Sequence, residues 1–245
     1  MKIIGVIPAR FASTRFPAKV VANISGKPMI EHVYTRAKQC RHLDDVLIAC
    51  DHDYVFKLAK NFGAKVVMTD PNHPSGSDRI AEAVKDLDVE IVVNIQGDEP
   101  FIDPETIDSL ALMLKEDPQC LMGTVIKEIA NKEDFQDSNV VKCVVDSQGY
   151  ALYFSRAPIP YNRNVIRPSG LKQYKHLGVY AYRKDFLLQY KSWPKSILET
   201  TEQLEQLRVL EKGHRIRTVV TTMESVAVDT PEDLKKAEQW FAQSK

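Results

Sequence analysis

Short apolar stretches alternate with amphipathic segments along the first half of the chain, and this alternation restricts the possible folds more than any other feature. The predicted order is strand 3–7, helix 28–40, strand 45–50, helix 53–62, strand 65–68, helix 77–87, strand 90–95 and helix 104–115. Strands that are apolar on both faces and are joined by crossover helices form parallel sheets covered on both sides. The first half therefore predicts an α/β fold.

The second half departs from this order. Residues 121–127, 140–145 and 150–154 predict strands with no long helix between them, and residues 156–175 are irregular and rich in proline. We therefore expect a mixed sheet with an antiparallel part. The chain then predicts a strand at 177–182, a helix near 201–212 that ends at Gly213, a strand at 215–221 and a last helix from Pro231. Leu204, Leu207 and Leu210 would share one face of the helix near 201–212.

No linker rich in glycine or serine, internal repeat or low-complexity tract divides the 245 residues. A chain of this length can bury a large core in one domain. We expect a single domain over residues 1–245, with a middle excursion at about 121–182.

Charge and cysteine content narrow the class of protein. Thirty-three Lys and Arg residues balance thirty-three Asp and Glu residues, so no global field would draw the chain to nucleic acid or an anionic membrane. No apolar stretch reaches the roughly 20 residues of a membrane span, and the N-terminal one is too short for a signal peptide. The four cysteines lie among apolar residues without C-x-x-C spacing, which is typical of buried thiols in a reducing compartment. We expect a cytoplasmic protein.

The loop at residues 8–19 follows the first predicted strand and carries the cations Arg10, Arg15 and Lys19 beside the hydroxyl of Ser13. In open α/β sheets ligands bind at the carboxyl ends of the strands, and cations among small residues suit a polyphosphate there. A solvated basic loop is the alternative interpretation. The chain has neither G-x-G-x-x-G after the first strand nor G-x-x-x-x-G-K-[ST], which argues against a nicotinamide dehydrogenase and a P-loop ATPase.

Two aspartates follow apolar stretches. Asp98 comes after the predicted strand 90–95 and Gly97, and Asp229 comes after residues 226–228. Asp98 alone could belong to an ordinary β-turn, and Thr230 with Pro231 could simply begin a helix. Two carboxylates at strand ends that face a cationic loop would instead hold Mg²⁺ for attack on a phosphoryl group.

Other polar residues allow two interpretations each. Residues 73–79 form a turn and a helix start, which could contact a planar base or could be a capped helix alone. His176 in its predicted strand is structural or functional. Glu205 and Arg208 could be a surface pair one helical turn apart.

Together these segments resemble the 3-deoxy-manno-octulosonate cytidylyltransferase (CMP-Kdo synthetase) family over nearly the whole chain. The resemblance rests on eight segments in the same order: 8–19, 26–30, 73–79, 96–100, 151–160, 176–182, 204–208 and 228–234. It implies a nucleotidyltransferase (nucleotide-diphospho-sugar transferase) fold, a Rossmann-like three-layer sandwich with a mixed, mainly parallel sheet. It also implies a homodimer whose interface and sugar pocket involve the middle excursion. The implied reaction joins CTP and the acidic sugar into CMP-sugar and pyrophosphate for lipopolysaccharide assembly.

The resemblance also assigns site residues. Arg10, Ser13, Arg15 and Lys19 would bind the triphosphate, Ser75, Gly76, Arg79 and Gln96 the cytidine, Asp98 and Asp229 Mg²⁺, and Arg156, His176, Tyr180, Glu205 and Gln206 the sugar. Of these, Arg10, Arg15, Lys19, Asp98 and Asp229 would be catalytic.

Two positions depart from the family pattern. Ala18 replaces the usual glycine of the first loop, and if the backbone there is left-handed, alanine would cost on the order of 1 kcal/mol. Asn164 stands where relatives often carry an acid, on the sugar side. The alternative functions are therefore a cytidylyltransferase for a related acidic sugar, such as 8-amino-3,8-dideoxy-octulosonate or a sialic acid, and a non-catalytic CTP-binding module.

Overall fold

The computed structural model describes residues 1–12, 16–163, 170–224 and 227–243. The strands are β1 (Ile3–Ala9), β2 (Asn23–Ile24), β3 (Lys27–Pro28), β4 (Asp45–Cys50), β5 (Lys65–Met68), β6 (Ile91–Asn94), β7 (Met122–Glu128), β8 (Lys142–Val145), β9 (Ala151–Ser155), β10 (Tyr174–Arg183) and β11 (Arg217–Thr221). The helices are α1 (Met29–Ala37), α2 (Asp53–Asn61), α3 (Gly76–Val84), α4 (Pro104–Glu116), α5 (Lys132–Gln136), α6 (Lys184–Ser192), α7 (Ile197–Glu202), α8 (Leu207–Glu211) and α9 (Pro231–Gln243). A short 3-10 turn spans Lys19–Val21.

The main sheet has the strand order β11-β7-β10-β6-β1-β4-β5. The strands β6, β1, β4 and β5 are parallel to one another, because helices cross over between them. Strand β10 is antiparallel to both β6 and β7, and the hairpin of β8 and β9 extends from β10. The predicted mixed, mainly parallel sheet is confirmed.

Side chains alternate between the two faces of this sheet, and each face has its own apolar core. In β1, Ile3 and Ile7 pack with α1, α2 and α4, whereas Ile4 and Val6 pack with α3, α6 and α8. All four are buried. The helices therefore cover the sheet from both sides, which confirms the three-layer sandwich.

One predicted helix is wrong. Instead of a single helix near 201–212, the chain forms α7 and α8 with an irregular segment between them. A capping box of Ser196 and Glu199 starts α7 early, and Gln203 then ends it in the left-handed region, with φ of 55°. Because Leu204 lies outside both helices, it does not share a helical face with Leu207 and Leu210.

Two further expectations needed correction. Helix α6 was not expected, although Phe186, Leu187 and Tyr190 give it a buried apolar face. Residues 227 and 228 belong to no strand, because the Val228 amide donates to the Asp98 carbonyl, 2.8 Å away, in a turn rather than to a neighbouring strand. Residues 225 and 226 lie outside the described residues.

All four cysteines are buried, free thiols, as predicted. Burial raises the pKa of Cys40 and Cys143 to about 12 and that of Cys50 and Cys120 to about 11. Within the described ranges, no helix is long and apolar enough to cross a membrane.

Candidate active site

A lysine bridges two aspartates beside the carboxyl ends of the central strands. Lys19 Nζ lies 2.5 Å from Asp98 Oδ2 and 2.7 Å from Asp229 Oδ1. We call Lys19, Asp98 and Asp229 the charged cluster. Burial by itself would lower the pKa of Lys19. The attraction of the two carboxylates is larger than this effect, so the pKa of Lys19 lies above its ordinary value. The lysine is therefore charged at neutral pH.

The backbone explains how residues so distant in the sequence meet. Ala18 has φ of 57° and ψ of 25°, the left-handed conformation that the usual glycine would adopt freely, and Lys19 begins the 3-10 turn directly after it. Asp98 follows Gly97, where a Cβ atom would lie only 2.8 Å from the Pro8 carbonyl oxygen. Glycine at position 97 thus lets the turn after β6 pack closely against the end of β1.

Asp229 is fixed by the start of α9. Thr230 Oγ1 accepts from the Asp233 amide at 3.2 Å, and the Asp233 carboxylate accepts from the Thr230 amide at 3.1 Å. These bonds confirm that Thr230 caps the helix. They account for Thr230 and Asp233, while the carboxylate of Asp229 contacts Lys19.

The charged cluster fits a divalent metal. Its two carboxylates already converge on one cation, the lysine ammonium, and hard carboxylate oxygens suit Mg²⁺. Among the described residues, no group of three or more His, Cys, Asp or Glu side chains could hold a metal. One or two carboxylates completed by substrate phosphates is the usual magnesium arrangement at a nucleotide.

Arg10 lies at the end of β1 and donates to the carbonyl of His73. Arg79 is fully buried, and its guanidinium donates to Asp51 at 2.9 Å. Asp51 in turn accepts from the Phe11 amide at 2.9 Å. Burial lowers the pKa of Arg79, and Asp51 only partly offsets this effect. Through Asp51, Arg79 therefore fixes the Phe11 amide at the start of the cationic loop. Ser13 and Arg15 lie outside the described residues, as does Asn164.

A cavity of about 330 Å³ opens beside β6 and β10, and we call it the polar cavity. Its lining contains Gly76, Ser77, Asn94, Gln96, His176, Gly178, Tyr180, Gln203, Leu204, Glu205 and Gln206. Six of these were candidates from the sequence: Gly76, Gln96, His176, Tyr180, Glu205 and Gln206. The structure thus brings together residues from α3, β6, β10 and the segment between α7 and α8.

An irregularity in β10 shapes this cavity. The register against β7 shifts between His176 and Tyr180, and Gly178 has φ of 71°. Gln96 Nε2 donates to the Gly178 carbonyl at 2.7 Å and so ties the bulge to the end of β6. Burial lowers the pKa of His176 to about 3, so its imidazole is neutral. Burial also raises the pKa of Tyr180, which keeps its hydroxyl protonated.

A second cavity, of about 390 Å³, adjoins the polar cavity and shares Gln203, Leu204 and Glu205 with it. Ser75 lines this adjoining cavity. Lys191 of α6 also lines it, with Nζ 3.3 Å from Ser75 Oγ, 3.2 Å from Asp78 Oδ2 and 3.7 Å from Glu205 Oε2. Lys191 thus connects the cytidine-side candidates to a sugar-side candidate.

Two candidate residues have other partners than expected. Arg208 pairs with Glu199 in a buried ion pair, with Nε 2.6 Å from Glu199 Oε2, so it is not part of a surface pair with Glu205. Arg156 donates to the carbonyls of Glu202 and Ser138 and lines neither cavity. The structure therefore does not bring Arg156 together with the other sugar-side candidates.

Sequence reasoning missed Lys191 and Asn94. Lys191 was missed because α6 was not predicted, although the spacing of Phe186, Leu187 and Tyr190 would have indicated a helix. Asn94 has a clearer signal, since asparagine is depleted in strands and stands here in an otherwise apolar one.

Comparison with known proteins identifies the family. A cytidylyltransferase family model matches residues 4–216. The 3-deoxy-manno-octulosonate cytidylyltransferase of Solibacter usitatus is 51% identical over 99% of this chain and 96% of its own length. The chain belongs to the 3-deoxy-manno-octulosonate cytidylyltransferase family. The family's enzyme from Geobacter sulfurreducens is 48% identical over 96% of this chain and 98% of its own length.

Solved structures agree with this assignment. A CMP:2-keto-3-deoxy-manno-octonic acid synthetase complexed with CTP has a TM-score of 0.95 and 40% identity, with full coverage of both chains. A 4-diphosphocytidyl-2C-methyl-D-erythritol synthase from Anaerococcus prevotii, at 14% identity and a TM-score of 0.66 over 98% of this chain and 96% of its own, shares the fold alone. The family resemblance predicted from the eight segments is confirmed, and this member is a cytidylyltransferase enzyme.

Proposed function

We propose that this enzyme transfers CMP from CTP to 3-deoxy-D-manno-octulosonate (Kdo), giving CMP-Kdo and pyrophosphate for lipopolysaccharide biosynthesis. The observation that carries the proposal is that the charged cluster and the polar cavity are joined through the turn after β6, where Gln96 lines the cavity two residues before Asp98. The charged cluster is suited to a metal-bound triphosphate, and the polar cavity is lined by neutral and acidic groups suited to sugar hydroxyls. The named relatives and the CTP-bound structure support the same reaction.

The reaction we infer is a direct in-line displacement at phosphorus. The anomeric hydroxyl of the sugar loses its proton to water as its oxygen attacks the α-phosphorus of CTP, the bond to the bridging oxygen of the β-phosphate breaks, and pyrophosphate leaves with that electron pair. CTP and the sugar carboxylate are both anionic, so the chain must offset their repulsion. Arg10 and Lys19 would do so at the phosphates, and Ser13 and Arg15 of the same loop are assigned there by the family pattern.

Family enzymes of this kind use a divalent metal, and we propose that it is Mg²⁺ held by Asp98 and Asp229. The ion, when bound, would neutralise charge on the phosphates and orient them. The chain contributes two fixed carboxylates and the lysine between them.

On the sugar side, we assign His176, Tyr180, Glu205 and Gln206 to hydroxyl and carboxylate recognition, and Gly76 and Gln96 to the boundary with cytidine. The neutral state of His176 makes it a hydrogen-bonding group and a weak base. Ser75 would contact the nucleotide, and Arg79 would hold the start of the cationic loop beside it through Asp51 and the Phe11 amide. Arg156 stays a proposed sugar ligand on the family pattern only, because its guanidinium is bonded to backbone carbonyls in this structure.

We further propose that residues 1–245 form one domain, that the enzyme is a homodimer with part of residues 121–182 at its interface, and that it acts in the cytoplasm. The buried free thiols support a reducing compartment. The balanced charge supports small-molecule partners rather than nucleic acid or membrane.

The test is a sugar panel assayed for pyrophosphate release with CTP and Mg²⁺. Kdo should give the highest kcat/KM, above 8-amino-3,8-dideoxy-octulosonate and a sialic acid. A preference for one of the other sugars would replace Kdo as the substrate. CTP binding in calorimetry with no pyrophosphate release for any sugar would instead indicate a nucleotide-binding module.

A further inference from the structure

The polar cavity contains two buried amide groups whose hydrogen-bonding capacity is unused. Asn94 is 3% exposed and its Oδ1 atom has no hydrogen-bond partner among the described residues. Gln206 is 2% exposed, and its Nε2 atom likewise has none within that part of the chain. Buried polar groups are nearly always paired, and an unpaired one is destabilising. Both residues line the same cavity of about 330 Å³, so a ligand there could pair both.

The sheet register places Asn94 on the face that carries this cavity. Asn94 is directly opposite Tyr180 on β10 and Val6 on β1, and residues opposite each other in a sheet project from the same face. Val92, two residues earlier, packs into the apolar core of that face. Along this face of β6, the side chains therefore change at Asn94 from apolar core packing to the lining of the polar cavity.

The two unpaired atoms are complementary. Asn94 Oδ1 is an acceptor, and Gln206 Nε2 is a donor. A hydroxyl can donate to the first and accept from the second, whereas a carboxylate cannot donate to Oδ1. The lining also contains none of the charged cluster, which argues against a phosphate in this cavity.

We infer that Asn94 is a specificity-determining residue that, together with Gln206, recognises one hydroxyl of the acidic sugar. The inference rests on the proposed function, and it adds a residue that the family segments did not mark. Recognition by a buried acceptor and donor makes discrimination strong, because a sugar without that hydroxyl would leave both amides unpaired.

The decisive variant is Asn94→Leu, which has a similar branched side chain without the amide. It should raise KM for the sugar about tenfold to a hundredfold, the range expected for a lost buried hydrogen bond to a ligand. The Kd for CTP, measured by calorimetry, should change less than about twofold. Because Oδ1 has no partner among the residues that the structure describes, the melting temperature should stay the same or rise. Asn61→Ala, an exposed change on α2, is the control.

Sugar analogues that each lack one hydroxyl locate the contact. With the wild-type enzyme, one analogue should show the same tenfold to hundredfold rise in KM that Asn94→Leu causes with the full sugar. With Asn94→Leu, the KM of that analogue should rise no further, and Gln206→Leu should give the same pattern. Equal losses for every analogue, or an unchanged sugar KM in both variants, would overturn the inference and leave the proposed function standing. A lowered melting temperature with unchanged sugar discrimination would show that Asn94 is structural. A wild-type enzyme that turns over no acidic sugar would overturn the proposed function and the inference with it.

Discussion

The two parts of the site use charge in opposite ways. In the charged cluster, Lys19 Nζ lies 2.5 Å from Asp98 and 2.7 Å from Asp229, and all three side chains remain partly exposed to solvent. The polar cavity is instead lined mainly by a neutral histidine, a protonated tyrosine and amide groups, and Glu205 is the one acidic side chain in the described lining.

This difference agrees with the ligand that we propose for each part. A triphosphate carries several negative charges, so it needs fixed cations and metal ligands whose charges offset one another before it arrives. A sugar is distinguished by the positions of its hydroxyls, and neutral hydrogen-bonding groups in a buried setting report those positions best. On our proposal, the charged cluster promotes the chemical step and the polar cavity selects the sugar.

Arg208 and Glu199 form a buried ion pair in the lining of the adjoining cavity. Breaking this pair tests whether the fold around that cavity depends on paired charge. Arg208→Met would leave Glu199 buried without its partner, and we expect a loss of about 3–5 kcal/mol in the free energy of unfolding. Urea denaturation measures this loss. Lys236→Met, which removes an exposed pair with Asp233, should cost less than about 1 kcal/mol.

The pH dependence of the same pair has a definite sign. Burial opposes the ionisation of Glu199, but hydrogen bonds from Arg208 outweigh it, and the pKa of Glu199 is lowered. A carboxyl whose pKa is lower in the folded state adds stability above its unfolded pKa and loses it as the pH falls. Wild-type stability should therefore decline below about pH 4.3 through this group. If Glu199→Gln showed the same decline, other carboxyl groups would be responsible.

Removing one acid from the charged cluster tests whether this cluster promotes the chemical step. Asp98→Asn and Asp229→Asn should each lower kcat about a hundredfold to a thousandfold, the scale of a lost electrostatic group, with the circular dichroism spectrum unchanged. Asp86→Asn, an exposed change at the other end of α3, should leave kcat unaffected. Full turnover by either cluster variant would contradict the metal assignment.

Lys191 allows a further test, because it contacts the proposed cytidine side through Ser75 and the proposed sugar side through Glu205. Lys191→Met should raise KM for CTP and for the sugar about tenfold, since Ser75, Asp78 and Glu205 would lose their common partner, with a smaller change in kcat. Lys191→Arg should restore part of the loss. Lys195→Met serves as the control, because Lys195 lines the same cavity but forms no ion pair with a described residue. A fall in stability without a change in KM would make Lys191 purely structural.

The smallest expected effect concerns the backbone below the charged cluster. Ala18→Gly should raise the free energy of unfolding by about 0.5–1 kcal/mol, because glycine relieves the left-handed conformation at some cost in unfolded-chain entropy. Ala22→Gly should have the opposite sign, since φ at Ala22 is −57°. Urea denaturation compares the two, and a loss of stability in Ala18→Gly would refute the strain.

Much of the molecule was predictable from local patterns. Strand 45–50, strand 65–68 and the start of the helix at Pro104 coincide with the structure, because apolar runs, alternation and a proline at the first turn act within a few neighbouring residues. The left-handed backbone at Ala18 was anticipated from the glycine of the family pattern. The break between α7 and α8 was not, since the apolar spacing of Leu204, Leu207 and Leu210 fits one helix as well as it fits two short ones.

By itself, the sequence determined the fold class, the family and the kinds of residue in the site, since periodicity and segment order survive without coordinates. Only the tertiary structure decided which partner each side chain has. Lys19 lies between Asp98 and Asp229, Arg208 pairs with Glu199, and the Asn94 oxygen faces a cavity with no partner in the described part of the chain. The physical reason is that these contacts join residues up to 210 positions apart, and only the packing of the sheet and helices sets their distances.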